Sequence, residues 1–154
     1  MILFVDFDGV LHPVECIDTA DPGLFSQRWC LDEVVRSLHP SPRLVISSAW
    51  RRTRRLDELK RFFPSDIEPF IVGKTPEFRE VMTSVPDHLF SFPREAECWS
   101  WLRINEALAE PWLAIDDQPG QFRPFSPNLY AVDPSTGLTE SDVPKLMEVI
   151  RAKR

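Results

Sequence analysis

The sequence lacks any apolar run of the roughly 20 residues needed to cross a bilayer, so no transmembrane segment is expected. Nor does it carry an excess of positive charge. Its 18 Lys and Arg against 24 Asp and Glu leave a net charge of −6, which offers no overall basic field to nucleic acid or to an anionic membrane. Cysteine is scarce: Cys16, Cys30 and Cys98 are odd in number and widely spaced. That pattern excludes a disulfide framework and a CxxC metal site, and fits reduced thiols packed as small hydrophobes in a cytoplasmic protein. No basic stretch precedes the first apolar segment, so no signal peptide is expected, and there is neither an internal repeat nor a linker. What is abundant is proline, with 15 residues in 154, which predicts ordered loops between short helices. The composition, 43% hydrophobic and 27% charged, is that of a globular chain, and the length is that of one domain with a sizeable core.

The most informative stretch is the first. Ile2 to Val5 read as a strand buried on both faces. It ends in Asp6-Phe7-Asp8-Gly9. Residues two apart on a strand point to the same side, so Asp6 and Asp8 would share a face at the strand's C-terminal end. Two carboxylates this close repel each other, and a divalent cation is their natural neutraliser. Gly9 then allows a tight turn. The residues fit a carboxylate pair holding a hard cation such as Mg²⁺; they also fit an ordinary strand-to-turn exit. A calcium loop of the EF-hand type fits badly, since its glycine belongs at the sixth position and a glutamate at the twelfth.

Residues 12 to 29 read as loop. Cys30 to Leu38 is a helix with Leu31, Val34, Val35 and Leu38 on one stripe, and Leu44 to Ile46 is a second buried strand ending in Ser47-Ser48. A helix from near Thr53 would turn Leu56, Leu59 and Phe63 inward and end at Pro64. Residues 67 to 92 are the least legible, with a short apolar run at Phe70 to Val72. A helix from Pro93 has Cys98, Trp101, Leu102, Ile104 and Leu108 as its apolar face. Trp112 to Ile115 is a third strand, ending in Asp116-Asp117. Leu129 to Val132 is a fourth, ending at Asp133, and a last helix carries Val143, Leu146, Met147 and Ile150, with Ser141 as its N-cap. Alternating strands and helices predict an α/β fold, a parallel sheet with helices on both faces. All strand ends then open on one edge, so Asp6, Asp8, Ser47, Asp116, Asp117 and Asp133 are expected at one rim. The converging donors are oxygens, which disfavours zinc.

These segments resemble the four motifs of the haloacid dehalogenase (HAD) superfamily of phosphohydrolases, in order, on a Rossmann-like core. Phe4-Val5-Asp6-Phe7-Asp8-Gly9-Val10-Leu11 matches the first motif and Leu44-Val45-Ile46-Ser47 the second. Arg94 stands where the third has Lys or, less often, Arg, and Leu113-Ala114-Ile115-Asp116-Asp117 matches the fourth. A narrower resemblance, carried by Asp8-Gly9-Val10-Leu11-His12-Pro13, Ser47-Ser48-Ala49-Trp50-Arg51 and Asp133-Pro134-Ser135-Thr136-Gly137-Leu138-Thr139, is to the small HAD domains of Swiss-army-knife RNA-repair proteins.

The resemblance implies a Mg²⁺-dependent phosphatase acting on a phosphate monoester, whose substrate class is a phosphorylated small molecule, a nucleotide or a polynucleotide end. Asp6 would be the nucleophile and form an aspartyl-phosphate, with Asp8 as general acid and base. Mg²⁺ would be held by Asp6, the backbone carbonyl of Asp8, and Asp116 or Asp117. Ser47, with Ser48 as the alternative, would donate to a phosphate oxygen. Arg94, with Lys74 or Arg79 as alternatives, would supply fixed positive charge. Gly9, Ser48, Arg51 and His12 are the candidate substrate contacts. In the cluster Arg51-Arg52-Thr53-Arg54-Arg55, the residues after Arg51 read as a solvated helix face. Neither interval around the second motif has room for a large cap domain. The alternative is a non-catalytic, Mg²⁺-dependent phosphate- or nucleic-acid-binding module on the same fold.

Overall fold

The computed structural model of the protein describes residues 1–16 and 20–154; part of the expected loop over 12 to 29 therefore lies outside the described residues. Five strands, β1 (Ile2–Val5), β2 (Arg43–Ile46), β3 (Ile71–Lys74), β4 (Trp112–Asp116) and β5 (Leu129–Ala131), form one all-parallel sheet in the order β3-β2-β1-β4-β5. β1 is central, and all four of its residues are buried. Alternation along it supplies two cores. Leu3 and Val5 face α1 (Arg28–Ser37) and α5 (Asp142–Lys153), while Ile2 and Phe4 face Trp101 and Leu102 of α4 (Pro93–Ile104). Two shorter helices, α2 (Leu56–Lys60) and α3 (Phe78–Val81), lie within the interval between β2 and α4.

Register, rather than any single contact, assembles the rim. Val5 pairs with Ile46 on one side and with Ile115 on the other, so the three strands end level. The next amides continue the ladder: Asp6 N–H donates to the Ile115 carbonyl at 3.1 Å, and Ser47 N–H to the Val5 carbonyl at 2.9 Å. Asp6, Ser47 and Asp116 thus occupy equivalent positions at the same sheet edge. The opposite edge takes both chain ends. The Met1 carbonyl accepts from Arg43 N–H, and the Arg154 guanidinium donates to the Pro40 carbonyl just before β2.

Several expectations are corrected. The helix predicted from Thr53 to Phe63 is a 3-10 turn over Ala49–Arg52 followed by the five-residue α2, because Ser48 caps the first and the Glu58 carboxylate, accepting from Arg55 N–H, starts the second. Ile104 and Leu108 are exposed rather than part of the α4 face. Ser141 stands at the N-cap of α5, but its hydroxyl meets Thr139 Oγ1 instead of capping. Asp133 is exposed and holds a local turn through the Ser135 N–H and hydroxyl, so it takes no part in the acidic group at the rim. β3, poorly legible in the sequence, includes Gly73, where a Cβ would come within 2.9 Å of the Trp101 indole nitrogen; only glycine admits the α4 ring that closely.

Candidate active site

Asp6, Asp116 and Asp117 each bring a carboxylate oxygen to within 4.8 Å of the other two. The first two are buried by their strands, and Asp117 reaches in from the turn after β4. Its approach explains Gly9 better than the turn alone does. Gly9 has φ +71°, and a Cβ there would lie 2.5 Å from Asp117 Oδ2. Each acid has one oxygen fixed or turned inward: Asp6 Oδ1 accepts from Phe7 N–H at 2.7 Å and Asp116 Oδ1 from Gln118 N–H at 2.9 Å. Two further oxygens, Asp116 Oδ2 and Asp117 Oδ1, are buried and make no hydrogen bond among the described residues. Buried carboxylate oxygens without hydrogen bonds, gathered this closely, are the donor set of a hard divalent cation such as Mg²⁺.

Arg94 is the one guanidinium facing the three carboxylates among the described residues. Its Nη2 lies 3.4 Å from Asp6 Oδ2 and its Nε 3.4 Å from Asp116 Oδ2, while its Nη1 is buried without a hydrogen bond. Burial works against the Arg94 charge, but Asp6 and Asp116 more than offset it and hold the proton more firmly than usual. The alternatives fall away on geometry. Lys74 donates to the Arg51 and Arg54 carbonyls, and the side chain of Arg79 is exposed and paired with Glu77.

One positive charge does not neutralise three carboxylates. Burial and the neighbouring Asp6 push the Asp116 carboxyl up to about 7 from an ordinary 3.8, and the same two causes raise Asp117. Without metal, the native state therefore holds a proton between about pH 4 and 7 that the unfolded chain has already lost, so stability falls as pH rises through that window. The full effect is at most about 4 kcal/mol. In chelator, unfolding of wild type and Asp116→Asn measured from pH 4.5 to 7.5 should diverge, with the variant gaining relative stability as pH rises. Parallel profiles would contradict the crowding.

Asp8 lies outside the acidic trio. Its carboxylate accepts from His12 Nε2 at 2.9 Å and from Trp50 Nε1 at 3.0 and 3.2 Å, which leaves only its backbone carbonyl for any role in holding a cation. Burial tends to raise the Asp8 pKa, but these hydrogen bonds outweigh it and keep the carboxyl below its ordinary range. His12 is fully buried, with Nδ1 accepting from Phe25 N–H at 3.3 Å. The expectation that it contacts substrate is thus corrected: its imidazole orients Asp8. Trp50 belongs to the Ser47-Ser48-Ala49-Trp50-Arg51 stretch, but nothing in the sequence assigns its indole N–H a role; the fold places it on Asp8. It is clamped by Phe7, Phe25 and Phe62 on its rings.

The two serines separate. Ser48 Oγ accepts from Trp50 N–H at 3.4 Å as the cap of the 3-10 turn, whereas the Ser47 hydroxyl has no hydrogen bond among the described residues and stays available at the strand end. Arg51 is also corrected. Its guanidinium is buried, donates to the carbonyls of Ser47, Ser48, Thr75 and Pro76, and pairs with Glu97 at 2.7 Å. All of its donors are engaged within the protein, so it holds the second motif in shape rather than gripping substrate.

The first turns of α4 tie the site together. Arg94 faces the carboxylates, Glu97 takes Arg51, and the buried Glu95 accepts from Arg123 N–H at 2.7 Å, from the Arg123 side chain at 2.8 and 3.1 Å, and from Ser126 Oγ at 3.2 Å. One helix end thereby fixes the segments after β2 and β4.

A family model described as the HAD domain in Swiss Army Knife RNA repair proteins matches residues 2–143. No curated protein and no solved structure matches the chain.

Proposed function

The chain belongs to the HAD-domain family of Swiss Army Knife RNA repair proteins, and from that premise we propose that it is a Mg²⁺-dependent phosphatase that removes phosphate from a nucleotide or polynucleotide end. The observation that carries the reading is the convergence of Asp6, Asp116 and Asp117 beside Arg94, with two carboxylate oxygens left unbonded.

Asp6 is the nucleophile. With Oδ1 held by the Phe7 amide, Oδ2 attacks phosphorus, the bond to the leaving oxygen breaks, and an aspartyl-phosphate forms. Arg94, on the same oxygen's side, balances negative charge on the transferring group. Ser47 donates its free hydroxyl to a phosphate oxygen. Asp8 protonates the leaving oxygen; the incoming phosphate's negative charge favours its protonated form for that step. Once the leaving group has departed, Asp8 as carboxylate takes a proton from water, which attacks phosphorus and frees Asp6. Mg²⁺ held by Asp6, Asp116 and Asp117 would shield the repulsion between nucleophile and phosphate and stabilise charge on the phosphoryl group.

The test is phosphate release from nucleoside monophosphates and from 3′- and 5′-phosphorylated oligonucleotides, with Mg²⁺ and after chelation. Release that stops with chelator and returns with Mg²⁺ is expected. Mg²⁺-dependent ligand binding with no phosphate released from any of these would instead favour the non-catalytic module.

His12 and Trp50 make a sharper prediction. Trp50→Phe keeps the aromatic packing but removes the indole N–H from Asp8. kcat should fall about tenfold to a hundredfold with KM little changed, because only proton transfer is compromised. An unchanged kcat would remove Trp50 from the catalytic apparatus.

A further inference from the structure

Arg94 has a second side. Beyond the carboxylates it forms part of the wall of a cavity of about 510 Å³ between the turn after β2, α3 and the start of α4. That volume falls in the range of small-molecule sites. The steps proposed above leave the other lining groups unassigned. Phe78 supplies an aromatic wall, half-buried and braced edge-on by Phe90. Gln118 and Gln121, from the segment directly after the fourth motif, line the cavity with side-chain amides that make no hydrogen bond among the described residues. Arg52 and Arg79 both face the Glu77 carboxylate, at 3.7 and 3.1 Å, so two guanidiniums stand at the mouth around one acid, while Glu97 lines the wall paired with Arg51.

We propose that this cavity is the subsite for the nucleoside that carries the scissile phosphate, with the base against Phe78, its polar edge read by Gln118 and Gln121, and the Arg52–Glu77–Arg79 cluster meeting further negative charge. An aromatic face and paired donor–acceptor amides recognise a nucleobase, whereas a sugar or a simple alkyl phosphate offers no flat face to stack. Arg94 borders both compartments, so a phosphate beside Asp6 and a base in the cavity can belong to one ligand. The assignment rests on the phosphatase reading and adds to it the place where the substrate's base is held.

The test is calorimetric titration of adenosine 3′- and 5′-monophosphate, and of inorganic phosphate, into the Asp6→Asn protein with Mg²⁺. At least one nucleotide should bind tenfold or more tightly than phosphate. That ratio should fall to near one in Gln118→Ala/Gln121→Ala and in Phe78→Leu, the latter keeping an apolar side chain in the packing. Equal affinity for nucleotide and phosphate, no binding of either, or a ratio untouched in both variants overturns the proposal. Terminally phosphorylated dinucleotides identify the source of the nucleotide, both outcomes supporting the subsite. Tighter, salt-sensitive binding that is lost in Arg79→Gln indicates a chain end, and affinity equal to the mononucleotide's indicates a free nucleotide. Failure of the catalytic reading looks different: nucleotide bound with the expected preference, yet no phosphate released by the wild-type protein.

Discussion

Asp6→Asn should lower phosphate release by on the order of 10⁴-fold or more while leaving a cooperatively folded protein. The amide cannot attack phosphorus, so the aspartyl-phosphate route is closed rather than slowed. Its remaining oxygen still accepts from the Phe7 amide, and Val5 still pairs with Ile46 and Ile115, so nothing in the sheet depends on the lost charge. The effect should sit in kcat and persist at saturating Mg²⁺. A labelled phosphoenzyme trapped by acid quench from wild type, and missing from the variant, would give the same answer by a second route. Retention of more than a few per cent of wild-type turnover would move the nucleophile elsewhere.

Arg51→Met should destabilise the protein by about 3–5 kcal/mol, the usual consequence of removing one partner of a buried charge pair. The variant strands Glu97 and leaves the carbonyls of Ser47, Ser48, Thr75 and Pro76 without their donor. Burial dominates both partners, lowering the Arg51 pKa and raising that of Glu97 despite their contact. The pair's attraction therefore does not fully offset the cost of burying its two charges. It follows that Arg51→Met/Glu97→Leu should lose less than the sum of the single changes. Thermal unfolding reads the single variant as a drop of roughly 10 °C in Tm. A loss under about 1 kcal/mol would refute the structural role given to Arg51.

The sequence was most legible where periodicity and strand endings coincide. Ile2 to Val5, Leu44 to Ile46 and Trp112 to Ile115 announce buried parallel strands by their unbroken apolar runs, and the polar residue after each lies at one rim because the register is level. Side-chain direction was harder to read. His12 and Arg51 sit beside motifs yet point into protein, and local sequence carries no sign of Phe25 or Glu97 waiting for them. The start of α4 shows the same limit: Glu95 and Glu97 flank the cationic Arg94 region in sequence, but what buries them is cationic partners from distant segments. Trp50 is hidden by its own chemistry, since a tryptophan after a strand is core far more often than it is a donor to a carboxylate at the sheet edge.

Both chain ends leave the sheet from the edge opposite the carboxylates, Met1 beside Arg43 and Arg154 beside Pro40. Any neighbouring module, affinity handle or bead joined at either end would therefore hang behind the acidic rim and leave its approach clear. Immobilised or fused forms of the protein should present the same carboxylate face to solvent as the free chain does.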